Sequence, residues 1–132
     1  MSRYLIDTDW IVDSLHGQRQ AEEKLLELAP QGLAVSHITY GELYQGAYYA
    51  QDAARSLRLL DEFMEGVELI PLSLEIMQRF AIIRGQLQQQ GTPIGEMDLL
   101  IAATALQHDL TIVTRNRRHF ERVPNLKLYQ DD

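Results

Sequence analysis

The feature that most limits what this chain can fold into is an alternation of two kinds of segment. Short apolar runs, Tyr4-Leu5-Ile6, Leu33-Ala34-Val35, Val67 to Ile70, Thr111 to Val113 and Leu126 to Leu128, are bounded by Gly32, Pro71, Asn116 and Pro124. Runs of this length and character read as buried strands. Between them lie longer segments whose apolar residues recur at helical spacing: Ala21 to Leu28, Thr39 to Ala50, Ala53 to Met64, Leu74 to Gln89 and Met97 to Gln107. Strands separated by helices need right-handed crossovers, which leave the strands parallel and the helices on both faces. The expected fold is α/β: three layers, α/β/α, around a central parallel five-stranded sheet.

Local signals refine that frame. Thr39 and Glu42 have the spacing of a capping box, Ser73 precedes a helix with Glu75 in its first turn, and Gly91 with Pro93 stops that helix. The run Leu99 to Leu106 is apolar nearly all round, which predicts a helix buried against the sheet, with Asp98 held at its first turn. No repeat, low-complexity tract or linker interrupts the pattern, so one domain is expected over residues 1–132.

Composition narrows the chemistry. The chain has no cysteine, so any metal must be held by oxygen or imidazole ligands, and a reducing cytoplasm suits it. It opens Met1-Ser2-Arg3 and soon meets Asp7 and Asp9, without a signal-peptide core, and nowhere do eighteen apolar residues run together. No membrane association is expected. The net charge of -7 argues against a protein that coats nucleic acid by neutralising phosphates. Its distribution is uneven. Arg115, Arg117, Arg118, Arg122 and Lys127 stand against Glu121 alone, a basic stretch that reads either as a solvated loop or as a phosphate-contacting rim.

Four polar residues fall at element ends: Asp7 after the first strand, Glu42 in the first turn of the helix after the second, Asp98 opening the buried helix, and Asn116 just after the fourth strand. Ligand sites of open α/β sheets form outside the carboxyl ends of the strands, where strand order reverses. If strands one and four are central neighbours, Asp7, Asp98 and Asn116 converge there, with Glu42 leaning in from the side. Gathered carboxylates repel one another, and a divalent cation is the natural counter-charge. Oxygen ligands with room for water suit Mg²⁺ or Mn²⁺ and the chemistry of phosphodiester cleavage. Structural uses compete with this reading: Glu42 as the capping partner of Thr39, Asp98 as a complement to the helix dipole, Asn116 as a turn former. Asp7 has little evident structural use.

In order along the chain, Leu5-Ile6-Asp7-Thr8, Ser36-His37-Ile38-Thr39-Tyr40-Gly41-Glu42-Leu43-Tyr44-Gln45-Gly46, Ile94-Gly95-Glu96-Met97-Asp98-Leu99-Leu100-Ile101-Ala102-Ala103, and Thr111-Ile112-Val113-Thr114-Arg115-Asn116 with His119-Phe120 resemble the successive motifs of VapC-type PIN-domain toxins. The resemblance implies a PIN-like α/β/α sandwich, Mg²⁺-dependent endoribonuclease activity, homodimerisation, and neutralisation by a small antitoxin protein. It implies that Asp7 and Asp98 are metal ligands, that Glu42 completes the acidic cluster, and that Asn116 positions water or substrate. Thr8 and Thr114 would support the site by hydrogen bonding. The family usually has Asn two places after the first Asp, whereas this chain has Asp9, an added carboxylate that faces either the metal or solvent. Arg115, Arg117 and Arg118 then become a phosphate-positioning rim for RNA beside an acidic centre.

Two rivals remain at this level. Asp7-Thr8-Asp9 also resembles the nucleophile motif of haloacid-dehalogenase-like phosphatases, which needs a later lysine and an acidic pair; only Lys24, Lys127 and Asp131-Asp132 are on offer. A receiver-type phosphoacceptor would need an acid where the third strand ends Leu69-Ile70-Pro71. A non-catalytic module that keeps the fold and binds RNA or a partner is the other. His16, His37, His108 and His119 have no metal-ligand spacing and read as structural or surface residues, although His37 and His119 flank motifs and could touch substrate. Tyr40, Tyr44, Tyr48 and Tyr49 put aromatic surface on one helix, either core or a face for a second subunit or an antitoxin helix.

Overall fold

The computed structural model describes residues 2–130. Its five strands are β1 (Tyr4–Ile6), β2 (Leu33–Ser36), β3 (Glu68–Ile70), β4 (Thr111–Val113) and β5 (Lys127–Leu128). They form one sheet in the order β3-β2-β1-β4-β5, and every neighbouring pair is parallel. The chain builds outward from β1 to β2 and β3, then crosses back to lay β4 and β5 on the other side. Strand order therefore reverses between β1 and β4, and the crevice beyond their carboxyl ends is where an open α/β sheet takes its ligand.

Alternation along the short strands feeds two cores. Leu5, Ala34 and Ile112 point to one face, packed under Ile76, Ile83, Leu87 and the buried helix residues Leu99, Ile101, Ala102, Ala103 and Ala105. Tyr4, Ile6, Leu33, Val35 and Val113 point to the other, under Ile11, Leu25, Leu28, Leu43 and Leu60. The period of two in side-chain direction is what divides each strand between the layers. The α/β/α architecture expected from the sequence is present.

The helices are α1 (Thr8–Leu15), α2 (Arg19–Leu28), α3 (His37–Tyr48), α4 (Ala53–Met64), α5 (Leu74–Gln89), α6 (Glu96–His108) and α7 (Arg117–Phe120), with a 3₁₀ turn at Ala29–Gln31. The spans read from periodicity for α4 and α5 coincide with the structure, and Ser73 caps α5 by accepting from the Ile76 N–H. α6 is buried along Leu99 and Ile101 to Ala105, as its uniformly apolar sequence predicts. Each fully buried Leu or Ile there stabilises the packing by about 1.5–3 kcal/mol.

Two expectations are corrected. The capping box does not form: Ser36, the last residue of β2, caps α3 by accepting from the Thr39 N–H at 3.1 Å. The strand runs into the helix without a loop, so the cap falls three residues earlier and Glu42 is released from that duty. Asp7 does have a structural use. It is the N-cap of α1, a helix that the strand pattern alone concealed, and its Oδ1 accepts from the Thr8 N–H at 2.8 Å.

Candidate active site

Strand geometry brings the first two components together. Ile6 pairs with Val113, so the residues that follow β1 and β4 emerge side by side. Thr114 Oγ1 donates to Asp7 Oδ2 at 2.7 Å and accepts from the Asn116 N–H at 2.9 Å. Asp7 is only 8% exposed. Burial pushes its carboxyl above the usual aspartate range, the negative charges of Asp98 and Asp9 push the same way, and the Thr114 hydroxyl and Thr8 N–H oppose them. Charge at this point is resisted by its surroundings, which is the condition a bound cation relieves.

Asp98 enters from the other side. It lies in the first turn of α6, where the helix dipole favours an anion, so the structural and the functional readings hold at once. Asn116 Nδ2 lies 3.4 Å from Asp98 Oδ2 and 2.8 Å from His119 Nδ1, and His119 Nδ1 stands 3.4 Å from the same carboxylate oxygen. A continuous path thus runs from Asp98 through Asn116 and Thr114 to Asp7. Glu42 is exposed and joins by accepting from Thr8 Oγ1 at 2.8 Å. Asp9 is exposed on the first turn of α1.

Among the described residues no three carboxylate or imidazole side chains stand close enough to form a closed metal cage. The donor set is open: Asp7 and Asp98 as carboxylates, with an amide and hydroxyls beside them. That fits a hard cation that keeps part of its water, as Mg²⁺ does, and does not fit a structural tetrahedral ion.

The basic stretch divides on inspection. Arg115 lies 4.1 Å over the Trp10 ring, pairs with Asp13 at 3.0 Å and donates to Gln18 at 3.1 Å. It clamps the turn after β4 to α1, and covers an indole whose buried Nε1 has no hydrogen-bond partner among the described residues. Arg117 donates to the Tyr129 carbonyl at 2.7 Å, Arg122 to the Pro93 carbonyl at 2.9 Å, and Lys127 pairs with Asp109 at 2.7 Å. Arg118 is exposed, and no side-chain partner of it stands among the described residues.

Sequence reasoning gathered Asp7, Thr8, Glu42, Asp98, Thr114 and Asn116, and the structure links them in one hydrogen-bonded network. His119, read from the sequence as a structural or surface residue that could touch substrate, stands against Asn116 and Asp98. A signal was present: Asn116 and His119 are three apart across the start of a helix, so their side chains share a face. A cavity of about 830 Å³ opens beside Glu42, with Leu15, Leu43 and Phe63 among its apolar lining and Glu22, Asp52 and Glu62 as acids. On the outer side of α3, Tyr40, Tyr44, Tyr48 and Tyr49 form a ladder with ring centroids 6.0, 6.3 and 5.0 Å apart.

Fold and site together define an open parallel α/β domain with acidic side chains gathered at its switch point. The family described as PIN domain matches residues 4–126, and the chain belongs to it, on the VapC branch. It is 32% identical to Ribonuclease VapC2 of Rickettsia felis over 95% of each chain, and 27% identical to the tRNA(fMet)-specific endonuclease VapC of Salmonella typhimurium over 97% of each. Solved structures agree: VapBC2 of Rickettsia felis bound to a promoter DNA fragment superposes with a TM-score of 0.88 at 31% identity, covering 98% of both chains. DNA-bound VapBC of Salmonella typhimurium gives 0.89 at 27% identity, again over 98% of both. Among the described residues no helix is long and apolar enough to cross a membrane.

Proposed function

We propose that this chain is the toxin of a type II toxin-antitoxin pair, a single-domain Mg²⁺-dependent endoribonuclease that hydrolyses RNA phosphodiester bonds in the cytoplasm. The observation that carries this reading is the meeting of Asp7, Asp98 and Asn116 at the β1/β4 switch point, where Asp7 is buried beside the like charges of Asp98 and Asp9 and no cationic side chain among the described residues pairs with it. The relatives named as ribonucleases supply the substrate class.

Asp7 and Asp98 would hold the ion, with Glu42 reaching it directly or through water. Bound there, Mg²⁺ supplies an activated water, polarises a phosphoryl oxygen and offsets the charge that builds on the leaving oxygen. The chain's own residues prepare the site. Thr114 keeps the Asp7 carboxylate oriented by donating to Oδ2, and Thr8 fixes Glu42. Asn116, uncharged, presents its amide to Asp98 and to water or substrate without adding repulsion. Arg118 supplies a phosphate contact at the rim, while Arg115 and Arg117 hold the turn that carries it.

The solved VapBC complexes support an antitoxin partner for this chain. The acidic groove beside Glu42 suits an amphipathic segment with basic side chains, which would also compete with the metal at Asp7 and Asp98. The exposed tyrosine ladder of α3 supports a homodimer, because Tyr carries apolar area and a polar tip into interfaces.

The phosphatase alternative finds no support in the geometry. Lys24 lies against Glu27 and Tyr129, Lys127 pairs with Asp109, and Asp131 with Asp132 lies outside the described residues. The test is cleavage of an RNA panel with Mg²⁺, with EDTA, and by the Asp7→Asn and Asp98→Asn variants. Cleavage is expected only for the wild type with metal; cleavage that survives chelation or both substitutions overturns the mechanism.

A further inference from the structure

We propose that Tyr129 is a positioning residue for this site: fixed by its ring, it holds Arg117 through its backbone carbonyl and so keeps residues 114–120 in the geometry that cleavage needs. The inference rests on the nuclease reading above and adds to it the support behind Asn116 and Arg118.

That turn cannot hold itself. Its helix α7 has four residues, and Asn116 at the N-cap makes no side-chain capping bond. A single helical turn fixes several backbone dihedrals for very few hydrogen bonds, so it forms where neighbours impose it. Phe120 anchors the far end by full burial in the core, and the Asn116 N–H reaches Thr114 Oγ1 at 2.9 Å. The two arginines that flank Asn116 are committed to different neighbours. Arg115 goes to α1, through Asp13, Gln18 and the Trp10 ring. Arg117 donates to the Tyr129 carbonyl at 2.7 Å. Its other contact, Glu121 at 3.8 Å, follows α7 directly in sequence and cannot tie the helix to the sheet.

Tyr129 is held from three sides. Its N–H donates to the Ile112 carbonyl at 2.9 Å, continuing the pairing of β5 with β4. Its ring stands edge-on to buried Tyr4 of β1, with centroids 5.7 Å apart and planes at 88°. From α2, the Lys24 ammonium donates to the Tyr129 hydroxyl at 3.2 Å and lies 5.2 Å from the ring centroid. The Lys24 side chain is itself only 11% exposed and pairs with Glu27 at 2.7 Å. Strand β5 has two residues, too few to fix that carbonyl by pairing alone, and the ring supplies what pairing lacks. The carbonyl in turn seats the guanidinium at the first residue of α7, next to the Asn116 amide that meets Asp98. A displacement of about 1 Å at such a group can cost on the order of 100-fold in rate.

The test compares wild type, Tyr129→Ala, Tyr129→Phe, Arg117→Ala and the double variant of Tyr129→Ala with Arg117→Ala. Native-state hydrogen exchange and single-turnover RNA cleavage with Mg²⁺ are measured well below the lowest melting temperature. The Asn116 and Glu121 amides, bonded to Thr114 Oγ1 and the Arg117 carbonyl, report on the turn. Both should exchange roughly tenfold faster in Tyr129→Ala and in Arg117→Ala, while amides of β2, on the far side of β1, keep their rates. We expect kcat to fall by roughly 10–100-fold in each single variant and no further in the double variant, because one acts through the other. Tyr129→Phe keeps the ring on Tyr4 and should restore both readings. If Tyr129→Ala does not fold, Tyr129→Leu, which keeps apolar bulk without the ring, takes its place with the same expectation. Wild-type exchange and kcat in Tyr129→Ala, losses that multiply in the double variant, or faster exchange spread over the whole sheet each overturns the proposal. The exchange measurement needs no cleavage, so failure of the nuclease reading is separate and shows as cleavage by Asp98→Asn.

Discussion

Thr114 Oγ1 donates to Asp7 Oδ2 at 2.7 Å, joining side chains 107 positions apart in sequence. The bond exists because β1 and β4 are neighbours and each ends one residue before its polar group. Since Thr114 Oγ1 also accepts from the Asn116 N–H, its single proton is committed to Asp7. It favours the ionised carboxylate against burial and against Asp98 and Asp9.

Replacing Thr114 with Val removes that donor at nearly constant shape. The Asp7 carboxyl then becomes still harder to ionise. The acid limb of the pH dependence of kcat/KM should move to higher pH, so activity falls more on the acid side of the profile than on the alkaline side. Thr114→Ser restores the hydroxyl and should keep the wild-type profile. A pH profile that does not move in Thr114→Val would show that the bond does not govern ionisation of Asp7.

Stability should show the opposite sign from activity at Asp7. Burial and like charge raise its pKa in the fold, so the folded chain holds the proton more tightly than the unfolded chain does. The stability this gives is fully present below the ordinary aspartate value of about 3.9 and is lost as pH rises through the folded value. Asp7→Asn keeps an uncharged side chain at every pH. It should melt higher than the metal-free wild type near pH 7, should lose that advantage in acid, and should not cleave RNA. Thermal melts of both proteins across pH decide the point; a variant less stable than wild type at neutral pH would place the value of Asp7 in its cap and hydrogen bonds instead.

The same repulsion makes metal a stabiliser. A cation that binds only the folded chain adds about 1.4 kcal/mol at tenfold its Kd, or roughly 5 °C in melting temperature for a chain of this size. Mg²⁺ should raise the melting temperature of wild type by that order and leave Asp7→Asn and Asp98→Asn unmoved. Equal shifts in all three proteins would point to unspecific ionic stabilisation.

The sheet was legible because short apolar runs between helical segments admit few topologies, and the acids because each stands where an apolar element stops. Three features escaped for physical reasons. Helix α1 is two turns long and begins within Asp7-Thr8-Asp9, a polar cluster that reads as a strand's functional edge. The cap of α3 fell on Ser36 because strand and helix share no loop, which the Thr39 and Glu42 spacing cannot reveal. The link of His119 to Asp98, though the sequence marks the residue itself as one that could touch substrate, passes through an amide and starts from a four-residue helix too short for periodicity to register.

The basic stretch supplies the last prediction, because equal charges there have unequal duties. Arg118 has no partner among the described residues, whereas Arg115 stacks on Trp10 and pairs with Asp13. In an Asp98→Asn background that leaves RNA intact, Arg118→Ala should weaken RNA binding and reduce the slope of log affinity against log salt by about 0.7, the value of one single-stranded phosphate contact. Melting should not change. Arg115→Ala loses a cation-π contact and an ion pair at a half-exposed site, together about 1 kcal/mol, and should lower the melting temperature by roughly 3–5 °C. Its salt slope should stay that of the background, since its guanidinium is already neutralised by Asp13. A salt slope that drops equally for Arg115→Ala and Arg118→Ala would mean that the clamp opens to meet RNA, and the division of labour along this turn would have to be redrawn.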